Sequence, residues 1–206
     1  MKYLVYYASG TGGHFIRSIV SQLITSSDFL MNRFDRGSPV DTIYHRNVNV
    51  CNMHEAPNLG FIEKSSDLKI ILITIDPSMY GRQSLYMYYK NMPIEKQTLS
   101  QDKIIDIYLS KSHESSYIYP YNEADILPDS VTDKFCKIRM QDIFHDMDKV
   151  LNQLSELTAK PIIENIRQSY INYLNAQREL IPWYNDSPKK IGTKSLFTLL
   201  NRFRMR

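Results

Sequence analysis

The residues best suited to chemistry stand near the start of the chain, in Ser9-Gly10-Thr11-Gly12-Gly13-His14. Three of the seven glycines occupy positions 10, 12 and 13. Glycine is needed where a backbone turns tightly or lets an anion come close. Backbone N–H groups at the start of a helix attract that anion. The chemistry implied is the binding of a phosphate-like group. The turn is not that of a nucleotide kinase, because His14 and Phe15 follow the last glycine where a Lys and a Ser or Thr are required. It is not G-x-G-x-x-G either. The plain alternative is a strand-to-helix turn that binds nothing. Two further polar clusters are His54-Glu55 and the stretch from Asp76 to Ser84.

The elements around these clusters follow from hydrophobic periodicity. Tyr3–Tyr7 reads as a buried strand. The pattern Phe15, Ile16, Ile19, Val20, Leu23 gives one face of a helix that runs to about Leu30, broken around Ser26-Ser27-Asp28. Arg33–Pro39 reads as a turn-rich connection, and Asp41–His45 as a short strand or loop edge. Residues 48–53 alternate as a strand that ends before Pro57. Lys69–Ile75 is apolar at nearly every position, which suits a central strand covered on both faces. Helices are expected over Met79–Met92 and Gln101–Ser112, with a loop over Ser115–Asp133. Phe135–Met140 alternates as a strand, closed by Asp142-Ile143-Phe144. Asp146 then caps a helix carrying Val150, Leu151, Leu154 and Leu157, and Ile162–Leu180 forms another.

Strands separated by helices predict an α/β fold, with a mostly parallel central sheet and helices on both faces. Ligands bind such sheets at the carboxyl ends of the strands. All three polar clusters follow strand ends.

The 206 residues suit a single domain over 1–206, with a basic C-terminal tail from about residue 186. A net charge of +3 with 23% charged residues does not mark a nucleic-acid binder. There is no apolar run long enough for a membrane span, and Lys2 leads into a strand, not a signal peptide. Cys51 and Cys136 are too few for a disulfide framework or a zinc site, so no metal is expected and a cytoplasmic, reducing setting is.

Taken in order, these pieces resemble the sulfotransferases that use 3′-phosphoadenosine 5′-phosphosulfate (PAPS). That family's first strand runs into a Pro-Lys-Ser-Gly-Thr type loop, and Ala8-Ser9-Gly10-Thr11 stands in its place. A strand ending in Thr-His-x-Pro is matched by His54-Glu55-Ala56-Pro57, with one extra residue. An Arg-x-Pro and a Ser-Tyr-Tyr helix are loosely matched by Ile75-Asp76-Pro77 and Ser84-Leu85-Tyr86. A Tyr-Glu-Asp-Leu type turn before a Val-Leu-x-x-Leu helix looks like Arg139-Met140-Gln141-Asp142-Ile143 and Lys149-Val150-Leu151-Asn152-Gln153-Leu154. Lys189-Lys190-Ile191-Gly192 stands where the family has a basic Lys-Gly loop. The half from Asp142 to Trp183 looks most like small sulfotransferase-like proteins of bacterial viruses, which would place the chain in host cytoplasm.

The resemblance implies a three-layer, P-loop NTPase-like sulfotransferase fold. It implies PAPS as co-substrate and a small-molecule or glycan acceptor carrying a hydroxyl or amine. Ser9, Gly10, Thr11, Gly12 and Gly13 would hold the sulfonate and 5′-phosphate. Arg82 and Ser84 would meet the 3′-phosphate, with Lys190 as a further cation. His54 would take the acceptor's proton, Glu55 is the substitute base, and His14 would stand in for the loop Lys. The chain departs from the family where Ala8 replaces that Lys and Ile75 replaces the Arg before the Pro.

Two rivals remain at this level. One is a non-catalytic, degenerate sulfotransferase fold used for binding or viral assembly. The other is half of a glycosyltransferase that binds a nucleotide-sugar, since Gly10-Thr11-Gly12-Gly13-His14 also resembles the Gly-Gly-Thr-Gly-Gly-His loop of those enzymes.

Overall fold

A computed structural model describes residues 1–7, 11–35, 38–40, 49–53, 62, 64–74, 92–93, 99, 103 and 134–180. In chain order these form β1 (Lys2–Tyr6), α1 (Gly13–Thr25), β2 (Phe34–Asp35), β3 (Ser38–Pro39), β4 (Val50–Met53), β5 (Leu68–Thr74) and β6 (Phe135–Arg139). Three helices follow: α2 (Met140–His145), α3 (Met147–Thr158) and α4 (Glu164–Leu180).

The main sheet has the order β4-β1-β5-β6, and every neighbouring pair is parallel. Tyr3 pairs with Val50, Val5 with Ile71, and Ile71 with Cys136. The α/β class expected from the sequence is therefore present. From β1 the chain moves outward to β4, then returns to place β5 on the other side of β1. The strand order reverses between β1 and β5, and the carboxyl ends of those two strands flank the crevice where such sheets bind ligands.

The two faces of the strands divide by the two-residue period. Val5, Tyr7, Ile71, Ile73 and Ile138 belong to the larger core, packed beneath the four described helices. Leu4, Tyr6, Ile70 and Leu72 face the other way, where Ile62 joins them. The helices expected over 79–92 and 101–112, the strand over 41–45, the loop over 115–133 and the basic tail fall outside the described residues, apart from Met92 and Lys103.

Packing, not capping, holds α1. Its N-cap is Gly12, no side chain caps it, and no acidic residue lies in its first turn. Phe15, Ile16, Ile19, Val20 and Leu23 are at most 1% exposed. Burial contributes about 1.5–3 kcal/mol for each such side chain.

Three sequence expectations need correction. The break expected around Ser26 is the end of α1 at Thr25, and no helix continues to Leu30, because Ser26 turns left-handed and the N–H groups of Ser26 and Ser27 close on Leu23 O and Gln22 O. The connection at 33–39 contains a two-stranded antiparallel ladder, with Phe34 opposite Pro39. Asp142-Ile143-Phe144 do not close β6; they lie inside α2, which starts at Met140. The capping role of Asp146 holds, since its Oδ1 accepts the Lys149 N–H at 3.2 Å at the start of α3.

The segment after α1 is held by side chains rather than by a neighbouring strand. Ser169 Oγ accepts the Met31 N–H at 2.9 Å, and Asn172 Nδ2 donates to Met31 O at 2.9 Å. Asn165 Nδ2 donates to Asp28 O, and Gln22 Nε2 to Phe29 O. Asn165, Ser169 and Asn172 thus make a polar stripe along α4 that reads the backbone of residues 28–31.

Candidate functional site

The glycine turn lies at the carboxyl end of β1, at the crevice. Gly12 has φ +84°, a left-handed conformation that side chains disfavour, and serves as the N-cap of α1. A methyl group on Gly12 would stand 3.1 Å from Tyr173 Oη and 3.5 Å from Ile143 Cγ2. On Gly13 it would stand 2.0 Å from Tyr7 Cγ. The turn is therefore closely pressed on two sides, by α2 and α4 at Gly12 and by the Tyr7 ring at Gly13. The Ile16 N–H donates to Gly12 O at 3.0 Å, the first helical bond. The positive end of the α1 dipole and the N–H groups of its first turn face the carboxyl rim of the sheet.

Thr11 is fully buried, while His14 is exposed. The His14 ring meets Tyr7 edge-on, with centroids 5.6 Å apart. His14 O accepts Ser18 Oγ at 2.8 Å, which stiffens the first turn. An aromatic stack backs the turn: Phe15 lies flat on Tyr173 at 3.8 Å, and Phe34 of β2 tilts against Tyr173 at 5.9 Å.

Of the residues singled out from the sequence, Thr11, Gly12, Gly13 and His14 stand together in this turn. Ser9, Gly10, His54, Glu55, Arg82, Ser84 and Lys190 lie outside the described residues.

On the same rim Arg139, Asp142 and Lys149, which the sequence offers only as parts of two separate motifs, meet as one charged group. Arg139 ends β6 and pairs in register with Thr74, the last residue of β5. Its Nε and Nη2 donate to Asp142 Oδ2 and Oδ1 at 3.0 and 2.7 Å. Lys149 Nζ donates to Asp142 Oδ2 at 2.8 Å. The hydrogen bonds from Arg139 hold the Asp142 carboxyl below its ordinary range, against the opposing effect of burial, and Lys149 adds to the lowering. Asp142 neighbours Ile143, whose side chain would meet a methyl group placed on Gly12. The available signal was the i, i+3 spacing of Arg139 and Asp142, but it spans a strand-to-helix junction that periodicity does not reveal.

Behind this group the Tyr170 hydroxyl donates to Ile143 O at 2.9 Å. Burial, then the charges of Asp142 and Asp146, push its pKa far above the ordinary phenol value, so it stays a neutral donor. Both cysteines are free; Cys51 is exposed and Cys136 half-buried.

Among the described residues no group of three His, Cys, Asp or Glu is placed to hold a metal ion. No described helix is long and apolar enough to cross a membrane. No protein-family model matches the chain, and no curated protein matches it.

Proposed function

We propose that the chain is a PAPS-dependent sulfotransferase with a three-layer, P-loop-like fold. It would transfer a sulfuryl group to a hydroxyl or amine acceptor. The observation that carries this reading is the glycine turn at the strand-order reversal. Its left-handed Gly12 opens α1, which bears neither an acidic first turn nor a side-chain cap. An anionic group is the natural complement of such a helix start.

The chemistry asks mainly for positioning and charge stabilisation, as in phosphoryl transfer. The bond from sulfur to the bridging oxygen of the donor breaks as the acceptor oxygen or nitrogen bonds to sulfur. The acceptor's proton passes to His54, with Glu55 as substitute. Ser9, Gly10 and the turn from Thr11 to Gly13 receive the sulfonate and 5′-phosphate, with His14 at its mouth. Arg82, Ser84 and Lys190 are assigned to the 3′-phosphate.

The test is calorimetric titration with adenosine 3′,5′-bisphosphate, using 5′-AMP and UDP as controls. The expected result is binding of the bisphosphate at least roughly tenfold tighter than 5′-AMP, a gap of about 1.4 kcal/mol. Binding of UDP alone would instead support a nucleotide-sugar site. Absence of binding to all three would overturn the reading. An acceptor screen follows, with His54→Ala as its control.

A further inference from the structure

Gly12 holds a left-handed conformation, with φ +84°. Glycine enters the left-handed and right-handed basins about equally, so the surroundings must choose between them. No side chain caps α1 at this point. Tyr173 Oη stands 3.1 Å from the place a methyl group on Gly12 would take, and Ile143 Cγ2 and Cδ1 stand 3.5 and 3.6 Å from it. One side of Gly12 is therefore walled, with a phenol oxygen at the nearest point.

That oxygen is a fixed point because its ring is fixed. Tyr173 is buried in the larger core. Its ring lies flat on Phe15, with centroids 3.8 Å apart and an angle of 2° between the planes. The rings of Phe34 and Phe144 stand 5.9 and 6.3 Å away. Gly12 is the N-cap of α1 and Phe15 its third residue. One side chain of α4 thus meets both ends of the first turn of α1, the hydroxyl at Gly12 and the ring face at Phe15. The N–H groups between those two points are the ones an anion would meet.

We propose that Tyr173 is a positioning residue of the glycine turn. Its hydroxyl holds Gly12 in the left-handed conformation that aims the first N–H groups of α1 at the ligand's 5′-phosphate or sulfonate. It acts through the turn, not on the reacting atoms. A site held in its bound conformation gains affinity because binding no longer carries the cost of ordering it. The inference rests on the sulfotransferase reading, which assigns that anionic group to the turn.

The test is titration of the full chain with adenosine 3′,5′-bisphosphate and with 5′-AMP, for wild type, Tyr173→Phe and Ile166→Val. Tyr173→Phe keeps the ring on Phe15 and removes one oxygen. It should weaken both ligands by the same factor, roughly 3–10-fold, because both carry the 5′-phosphate. Ile166, buried on the same helix, is the structural control. Ile166→Val should lower the melting temperature and leave both affinities within about twofold of wild type. A second measurement reads stability. The cost of Gly12→Ala should shrink in the Tyr173→Phe background, where the atom nearest the added methyl is gone. Equal binding by wild type and Tyr173→Phe overturns the positioning role and leaves the sulfotransferase reading standing. So does a weakening that Ile166→Val reproduces, or an equal cost of Gly12→Ala in both backgrounds. Absence of bisphosphate binding by the wild type removes both.

Discussion

Gly13→Ala drives a methyl group into the base of the Tyr7 ring. The added carbon would stand 2.0 Å from Tyr7 Cγ and 2.2 Å from Cδ1 and Cδ2. Carbon atoms rest at ~3.5–4.0 Å, so the ring or the helix start must yield by about 1.5 Å. The ring is 2% exposed and its base follows directly on β1, so a rotamer change brings no relief. Overpacking of this kind costs about 1–3 kcal/mol and occasionally more; a displacement this large belongs at the upper end. The opposing gain is the helix propensity of alanine over glycine, ~1 kcal/mol. The net expectation is a destabilisation of about 2 kcal/mol, a fall in Tm of roughly 4–8 °C. Urea unfolding followed by circular dichroism measures it, as a lower midpoint at unchanged slope. The double mutant sharpens the test. With Tyr7→Ala in place the obstacle is gone, and Gly13→Ala should become neutral or stabilising by up to ~1 kcal/mol. A Gly13→Ala protein as stable as wild type would refute the reasoning, and so would an equal cost in both backgrounds.

Two further outcomes follow from the titratable groups. Burial, and secondarily Glu156, push the Cys136 thiol up to about 11, whereas Cys51 is exposed. A maleimide near neutral pH should therefore modify one thiol in the native protein and two in urea, read by mass spectrometry; two modified thiols in the native state would contradict this. Asp142 has its folded pKa lowered, first by Arg139, so its contribution to stability is complete above the unfolded value of about 4 and is lost as pH falls through the lower folded value. The stability gap between wild type and Asp142→Asn should be widest near neutral pH and narrow below about pH 4; a gap that stays constant across that range would speak against the Arg139–Asp142 bond.

The sheet was legible because its strands obey a two-residue period or are wholly apolar, and because each is long enough to display it. Lys69–Ile75 needed no context to be recognised as a central strand, and β5 spans Leu68–Thr74. α3 was legible for a similar reason, since Asp146 and the Val150, Leu151, Leu154 stripe carry both its start and its buried face. α2 was not, because six residues give too little periodicity to separate a helix from the end of a strand. The ladder at 34–39 has two residues a side and leaves no pattern at all. The glycine turn was visible as composition. That Tyr7 and Tyr173 press on its two glycines is a fact of packing, and only the fold brings those rings there. The Arg139–Asp142–Lys149 group shows the same limit, with three residues from a strand, a short helix and the next helix meeting at one corner. Asn165, Ser169 and Asn172 look like part of a solvated face, yet two of them reach the backbone of Met31.

That last arrangement sets an order of events during synthesis. Met31 is bound by Ser169 and Asn172, partners 138 and 141 residues further along the chain. Chains emerge from the ribosome amino terminus first, at roughly 5–20 residues per second. The backbone groups of Met31 therefore wait, for about 7–28 seconds at those rates, until α4 has been made. Over that interval the Met31 N–H and carbonyl are left to water, and the face of α1 that α4 will cover stays open. The amino-terminal layer is thus completed by one of the last described elements to appear. Contacts of such long separation also slow the final step of folding. A chain stopped before residue 165 would retain every described strand of the parallel sheet but none of the clasps that α4 places on the segment after α1.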